Sequence, residues 1–118
     1  MSIPVLAVDF DGTLVENDWP NIGKPKEHIA RYVRHLKYKG WKIILWTCRV
    51  DSALQAAVDF CRKELRIEFD AVNDNLPEDV IKYGSNSRKI HATKYLDDKA
   101  MLLSEVEAIQ ALQKGGKK

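Results

Sequence analysis

Two carboxylates, Asp9 and Asp11, close the apolar run Val5-Leu6-Ala7-Val8 and lead straight into a Gly12-Thr13 turn. In a β-strand, residues two apart point to the same face. Where the strand ends that parity relaxes, and the two acids can converge on one point. Carboxylates that close repel unless a cation or a proton sits between them. A second acidic pair, Asp97-Asp98, closes another apolar run far down the chain, and Thr47 and Asn73 close two more. In open α/β sheets, ligands bind outside the carboxyl ends of the strands, which is where all of these residues are expected.

The elements that must position them are readable from periodicity and turn residues. Short apolar runs predict strands over 3–10, 41–47, 69–73 and 92–96. Ile29, Val33 and Leu36 predict a helix over 26–39, stopped by Gly40. Asp51 or Ser52 is positioned to cap a second helix, whose apolar stripe is Leu54, Ala57, Val58, Cys61 and Leu65. Residues 77–89 read as a helical turn followed by a Gly-Ser-Asn-Ser loop. A last helix over 99–113 is expected to face the sheet with Leu102, Val106, Ile109 and Leu112. Strands alternating with helices of this length imply an α/β chain: a three-layer, Rossmann-like parallel sheet with helices on both faces. Such a sheet brings Asp9, Asp11, Thr47, Asn73, Asp97 and Asp98 to one edge.

Size and composition narrow the classes. The 118 residues suffice for one domain, expected over 1–113, with 114–118 as a frayed tail. A net charge of +2, with 31% charged residues, carries no strong nucleic-acid signal. The two cysteines, Cys48 and Cys61, lack metal-type spacing and read as reduced thiols of a cytoplasmic protein. No apolar run reaches membrane-spanning length, and no basic region precedes the first apolar stretch.

Four acids with no histidine or cysteine beside them favour a hard cation, above all Mg²⁺. A phosphoryl group is the natural companion of such a centre, because its oxygens must be held by donors and cations. Thr47 offers a hydroxyl and a backbone N–H for that purpose. Lys89, ahead of the fourth strand, is the first choice for a point charge, with Lys94 and Lys82 behind it. Arg49 either touches the phosphate or serves as a solvated or helix-pairing residue. Asn73 and Asn75 read as turn formers, and His28, His35 and His91 as surface residues. Trp41 and Trp46 read as packing residues, while Trp19 lies in an open loop within reach of a substrate.

Taken in order, Asp9-Phe10-Asp11-Gly12-Thr13, Thr47, a downstream lysine and Asp97-Asp98 resemble the four motifs of the haloacid dehalogenase superfamily. The resemblance spans residues 3–100. It implies Asp9 as nucleophile, Asp11 as general acid/base, and Thr47 and Lys89 around the phosphate. It implies Mg²⁺ held by the Asp9 carboxylate, the Asp11 backbone carbonyl and the Asp97-Asp98 pair. Dehalogenases of the superfamily lack the second acid of the first motif, so Asp11 points to hydrolysis of a phosphomonoester, of small molecule or macromolecule. The slots at 14–25 and 74–88 are too short for a cap domain, so a capless member is expected, its open site bare or covered by a neighbouring subunit of a homo-oligomer. Two other readings stand beside this one: a receiver domain that accepts a phosphoryl group on aspartate, and a non-catalytic binding module on the same fold.

Overall fold

A computed structural model describes residues 3–115. Four strands, β1 (Val5–Val8), β2 (Lys42–Leu45), β3 (Ala71–Val72) and β4 (Lys94–Leu96), form one parallel sheet in the order β3-β2-β1-β4. The helices are α1 (Glu27–Tyr38), α2 (Asp51–Phe60), α3 (Pro77–Tyr83) and α4 (Leu103–Gly115). A π-helical turn, Cys61–Leu65, prolongs α2.

Strand β1 is buried along its whole length because both faces of the sheet are covered. Leu6 and Val8, with Ile43 and Leu45 of β2, face a core closed by Ala30, Val33 and Leu36 of α1 and by Ala57, Cys61 and Leu65. Val5 and Ala7, with Ile44, face the opposite core, where Leu76 at the start of α3 and Ile90 seal the sheet. The fold is thus α/β and Rossmann-like, and no cap domain is evident among the described residues.

Topology then selects the site. From β1 the chain steps outward to β2 and β3, and then returns across the sheet to β4 on the other side of β1. The direction of winding reverses between β1 and β4, and the crevice at such a reversal is where open α/β sheets bind ligands. Asp9 follows β1 and Asp97-Asp98 follow β4, with the register Val8↔Leu96 setting the two ends level.

Three expectations differ from the structure. Helix α4 does not pack its stripe on the sheet: Leu102, Ile109 and Leu112 are exposed. Periodicity marks a helix as amphipathic but does not say what covers its apolar side. The predicted tail at 114–118 is helical through Gly115, and residues 116–118 lie outside the described residues. Neither Asp51 nor Ser52 caps α2, which starts from an extended Val50 with no side-chain cap bond. Both cysteines are free; burial pushes the Cys61 thiol up to about 12. Among the described residues no helix is long and apolar enough to cross a membrane.

Candidate active site

The strand-end acids form two groups with different partners. Asp9, Asp97 and Asp98 make up the first, and one ligand oxygen from each lies within 4.8 Å of the others. Thr13 ties this group together. Its hydroxyl oxygen lies 3.1 Å from Asp9 Oδ2 and 3.3 Å from Asp98 Oδ1, and it accepts the Asp98 backbone N–H at 3.0 Å. The hydroxyl has a single proton, so it donates to one acid at a time.

Gly12 makes that approach possible. Its φ of +89° suits glycine, and a Cβ there would stand 2.5 Å from Asp98 Oδ2. Gly12→Ala is therefore expected to displace Asp98 and to cost about 1–2 kcal/mol from the left-handed backbone alone. Thermal melts with and without a divalent cation check this: the variant should melt lower and lose most of the cation's stabilising effect.

Asp11 belongs to the second group. Its carboxylate is held by Arg49 in a two-pronged pair, Nε to Oδ2 at 2.8 Å and Nη2 to Oδ1 at 2.7 Å. Arg49 also donates to the Asn21 carbonyl at 2.8 Å, and its side chain is only 2% exposed. Its guanidinium lies between two aromatic rings, 5.0 Å from the Phe10 centroid and 4.9 Å from that of Trp19. Of the readings of Arg49, the solvated one is corrected: the side chain is buried, fixes Asp11, and its Nη1 also donates to the Ala53 carbonyl of α2 at 3.4 Å. The Asp11 carboxylate is correspondingly turned to Arg49 and is not a member of the three-acid cluster.

Thr47 follows β2, one strand over. Its backbone N–H is taken by Asn73 Oδ1 at 2.8 Å, and its hydroxyl oxygen accepts the Arg49 backbone N–H at 3.2 Å. Of the two donors expected at Thr47, the hydroxyl proton is the one left uncommitted. Asn73, in a left-handed conformation at φ 51°, is a strap on the Thr47–Arg49 loop as well as a turn former.

The structure does not bring Lys89 to the acids. Its ammonium lies over the Tyr95 ring, 5.9 Å from the centroid, in a separate cleft of about 420 Å³ with Asp79, Tyr83 and His91. The irregular 84–93 segment carries it there, and no periodic pattern marks that path. The lysine beside the acids is instead Lys26, whose Nζ donates to the Gly12 carbonyl at 2.7 Å. It lines a cavity of about 160 Å³ with Thr13, Asp97 and Asp98. Sequence reading missed Lys26 because it reads as the start of α1. The signal was the Gly23-Lys24-Pro25 stretch that returns the chain to the loop after β1, where the Lys26 N–H reaches the Leu14 carbonyl. Lys99, on the other side, lines a cavity of about 300 Å³ with Asp11, Asn17, Trp19, Cys48 and Arg49.

Electrostatics explain what the three-acid group lacks. Burial, and then the charge of Asp97, push the Asp9 carboxyl up to about 6; the Thr13 hydroxyl and the Phe10 N–H offset part of this, and Asp98 adds to it. The donors are all carboxylate oxygens, the chemistry of a hard cation, and a cation placed among them would relieve the repulsion. Asp9, Asp97 and Asp98 are the residues that could hold a divalent cation.

Without a cation, folded Asp9 keeps a proton between about pH 4 and pH 6 that the unfolded chain has released, so this group's contribution to stability falls as pH rises through that window. A cation needs the ionised form, so stabilisation by Mg²⁺ is expected to be small near pH 5 and large near pH 8. Melting curves at the two pH values, with and without Mg²⁺, check this.

None of the family models matches this chain, and no curated protein matches it. A solved structure described as the conserved protein coded by a locus from Bacteroides thetaiotaomicron is similar, with 29% identity and a TM-score of 0.74, over 96% of this chain and 93% of that one.

Proposed function

We propose that this edge hydrolyses a phosphomonoester with the help of Mg²⁺, through an aspartyl phosphate on Asp9, in the manner of a capless haloacid dehalogenase-type phosphatase. One observation carries the reading: the acids split into a cluster of Asp9, Asp97 and Asp98, suited to a cation, and a separate Asp11 held apart by Arg49. A simple acidic surface has no reason for that division.

Asp9, Asp97 and Asp98 are the residues that would hold the cation. When bound, it supplies positive charge to the three acids and to the phosphoryl oxygens. Asp9 attacks phosphorus as a carboxylate, and the ester oxygen departs. Asp11, held at the neighbouring position by Arg49, gives a proton to the departing ester oxygen in the first step and takes one back from the water that hydrolyses the acyl phosphate in the second. The Thr47 hydroxyl and the ammonium groups of Lys26 and Lys99 are the donors available to the phosphoryl oxygens. Lys26 takes the part that sequence reading gave to Lys89.

The strand order separates this reading from a receiver domain. Receivers follow the flavodoxin-like order 2-1-3-4-5, whereas here β2 lies between β3 and β1, and β1 lies between β2 and β4, as in Rossmann halves. The free thiols of Cys48 and Cys61 suit a reducing compartment, as a cytoplasmic enzyme would require.

The test is phosphate release from a panel of aryl, sugar, nucleotide and peptide phosphomonoesters. Release that needs Mg²⁺ and is lost on chelation supports the reading. A protein that releases no phosphate from any member, or accumulates a stable phosphoaspartate, contradicts it.

A further inference from the structure

Trp19 stands apart from the other tryptophans. It is 58% exposed, whereas Trp41 and Trp46 are partly buried against the two cores. An exposed indole in a loop usually has several rotamers open to it, but this one lies against a fixed partner. Its ring stacks on the Arg49 guanidinium at 4.9 Å, and Arg49 in turn rests on Phe10 and is bonded to Asp11 and to the Asn21 carbonyl. The column Phe10–Arg49–Trp19 thus runs from the core to the surface and ends in an open aromatic ring. That ring lines the same 300 Å³ cavity as Asp11, with Asn17, Cys48 and Lys99. The volume is at the small end of small-molecule sites, the scale of a small-molecule group and not of a macromolecular surface.

We infer that this cavity receives the leaving group of a phosphomonoester whose alcohol carries a planar aromatic ring, with the ring stacked on Trp19. The inference rests on the phosphatase reading and names the substrate class for that site. In the first step an Asp9 oxygen forms a bond to phosphorus while the bond from phosphorus to the ester oxygen breaks. The electron pair stays on that oxygen, which takes a proton from Asp11 or solvent. Water then cleaves the acyl phosphate, releasing inorganic phosphate and restoring the Asp9 carboxylate. Trp19 and Asp11 line the same cavity, so a ring stacked on Trp19 would lie on the Asp11 side of the site. Stacked aromatic contacts favour offset or tilted rings over an apolar or cationic backing, and the Arg49-backed indole provides one.

The experiment compares kcat/KM for phenyl phosphate, adenosine monophosphate and glycerol phosphate, with Mg²⁺ present, in the wild type, Trp19→Ala and Trp19→Phe. Loss of one stacking ring is worth roughly tenfold. Trp19→Ala is expected to lower the phenyl phosphate value about tenfold relative to glycerol phosphate, chiefly through KM, and Trp19→Phe to restore most of it. Adenosine monophosphate falling with phenyl phosphate would point to nucleotides as the source of the ring, and its falling with glycerol phosphate to aryl esters; either outcome supports the inference. Equal losses on all three substrates, or none, overturn it and leave the phosphatase reading intact. No release from any of the three by the wild type overturns the inference; the phosphatase reading falls only if the full panel of aryl, sugar, nucleotide and peptide phosphomonoesters also yields no phosphate.

Discussion

Asp9→Asn is expected to abolish phosphate release, by a factor of about 10⁴ or more, and at the same time to make the cation-free protein more stable at neutral pH. The two effects have one cause. Asp9 is the acid whose charge the fold holds least comfortably, because burial and the neighbouring Asp97 push its carboxyl up to about 6. Removing that charge relieves the repulsion with Asp97 and Asp98, so the melting temperature without Mg²⁺ rises near pH 8. It also removes the proposed nucleophile and one of the three acids proposed to hold the cation, so added Mg²⁺ is expected to stabilise the variant less than the wild type. A residue that matters only for stability would move the melting temperature and the activity in the same direction. Opposed movements are the mark of a functional charge kept at the expense of stability. Phosphate release and paired thermal melts measure both.

The second large effect belongs to Arg49. Arg49→Met is expected to destabilise the fold by about 3–5 kcal/mol, because it leaves the Asp11 carboxylate without its two-pronged partner in a largely buried position. That is a large share of the roughly 5–15 kcal/mol available to a domain of this kind. The double variant Arg49→Met with Asp11→Asn should be less damaged than Arg49→Met alone, since no charge is then left unpaired. Arg49→Lys should recover little, because an ammonium cannot reproduce two parallel N–H bonds or lie flat between Phe10 and Trp19. Urea unfolding of the four proteins gives the coupling directly.

Asp9, Thr47, Asn73 and Asp97-Asp98 were legible in the sequence because each terminates an apolar run, and a parallel sheet gathers such terminations on one edge. Helix α1 was legible because Ile29, Val33 and Leu36 repeat at helical spacing; Val33 and Leu36 are in fact buried. The partnership of Arg49 with Asp11 was not legible. It joins residues 38 positions apart through side chains alone, and a buried arginine has the same letter as a solvated one. Lys89 was expected beside the acids and Lys26 was not, for a related reason. The loop after β1 folds back to bring Lys26 to the Gly12 carbonyl, whereas the path before β4 carries Lys89 to Tyr95. Neither path has a period to read. Helix α4 shows the same limit, since its stripe announced an amphipathic helix without naming its cover.

The central claim is that Asp9 carries the phosphoryl group. The most direct measurement is to quench the protein during turnover of an aryl phosphate with Mg²⁺, reduce it with borohydride, and map the product by peptide mass spectrometry. An acyl phosphate at Asp9 is reduced to homoserine, so the account predicts homoserine at position 9, absent without substrate and absent in Asp9→Asn. Turnover that continues with no modification at position 9, or with the modification at Asp11, Asp97 or Asp98, would contradict it.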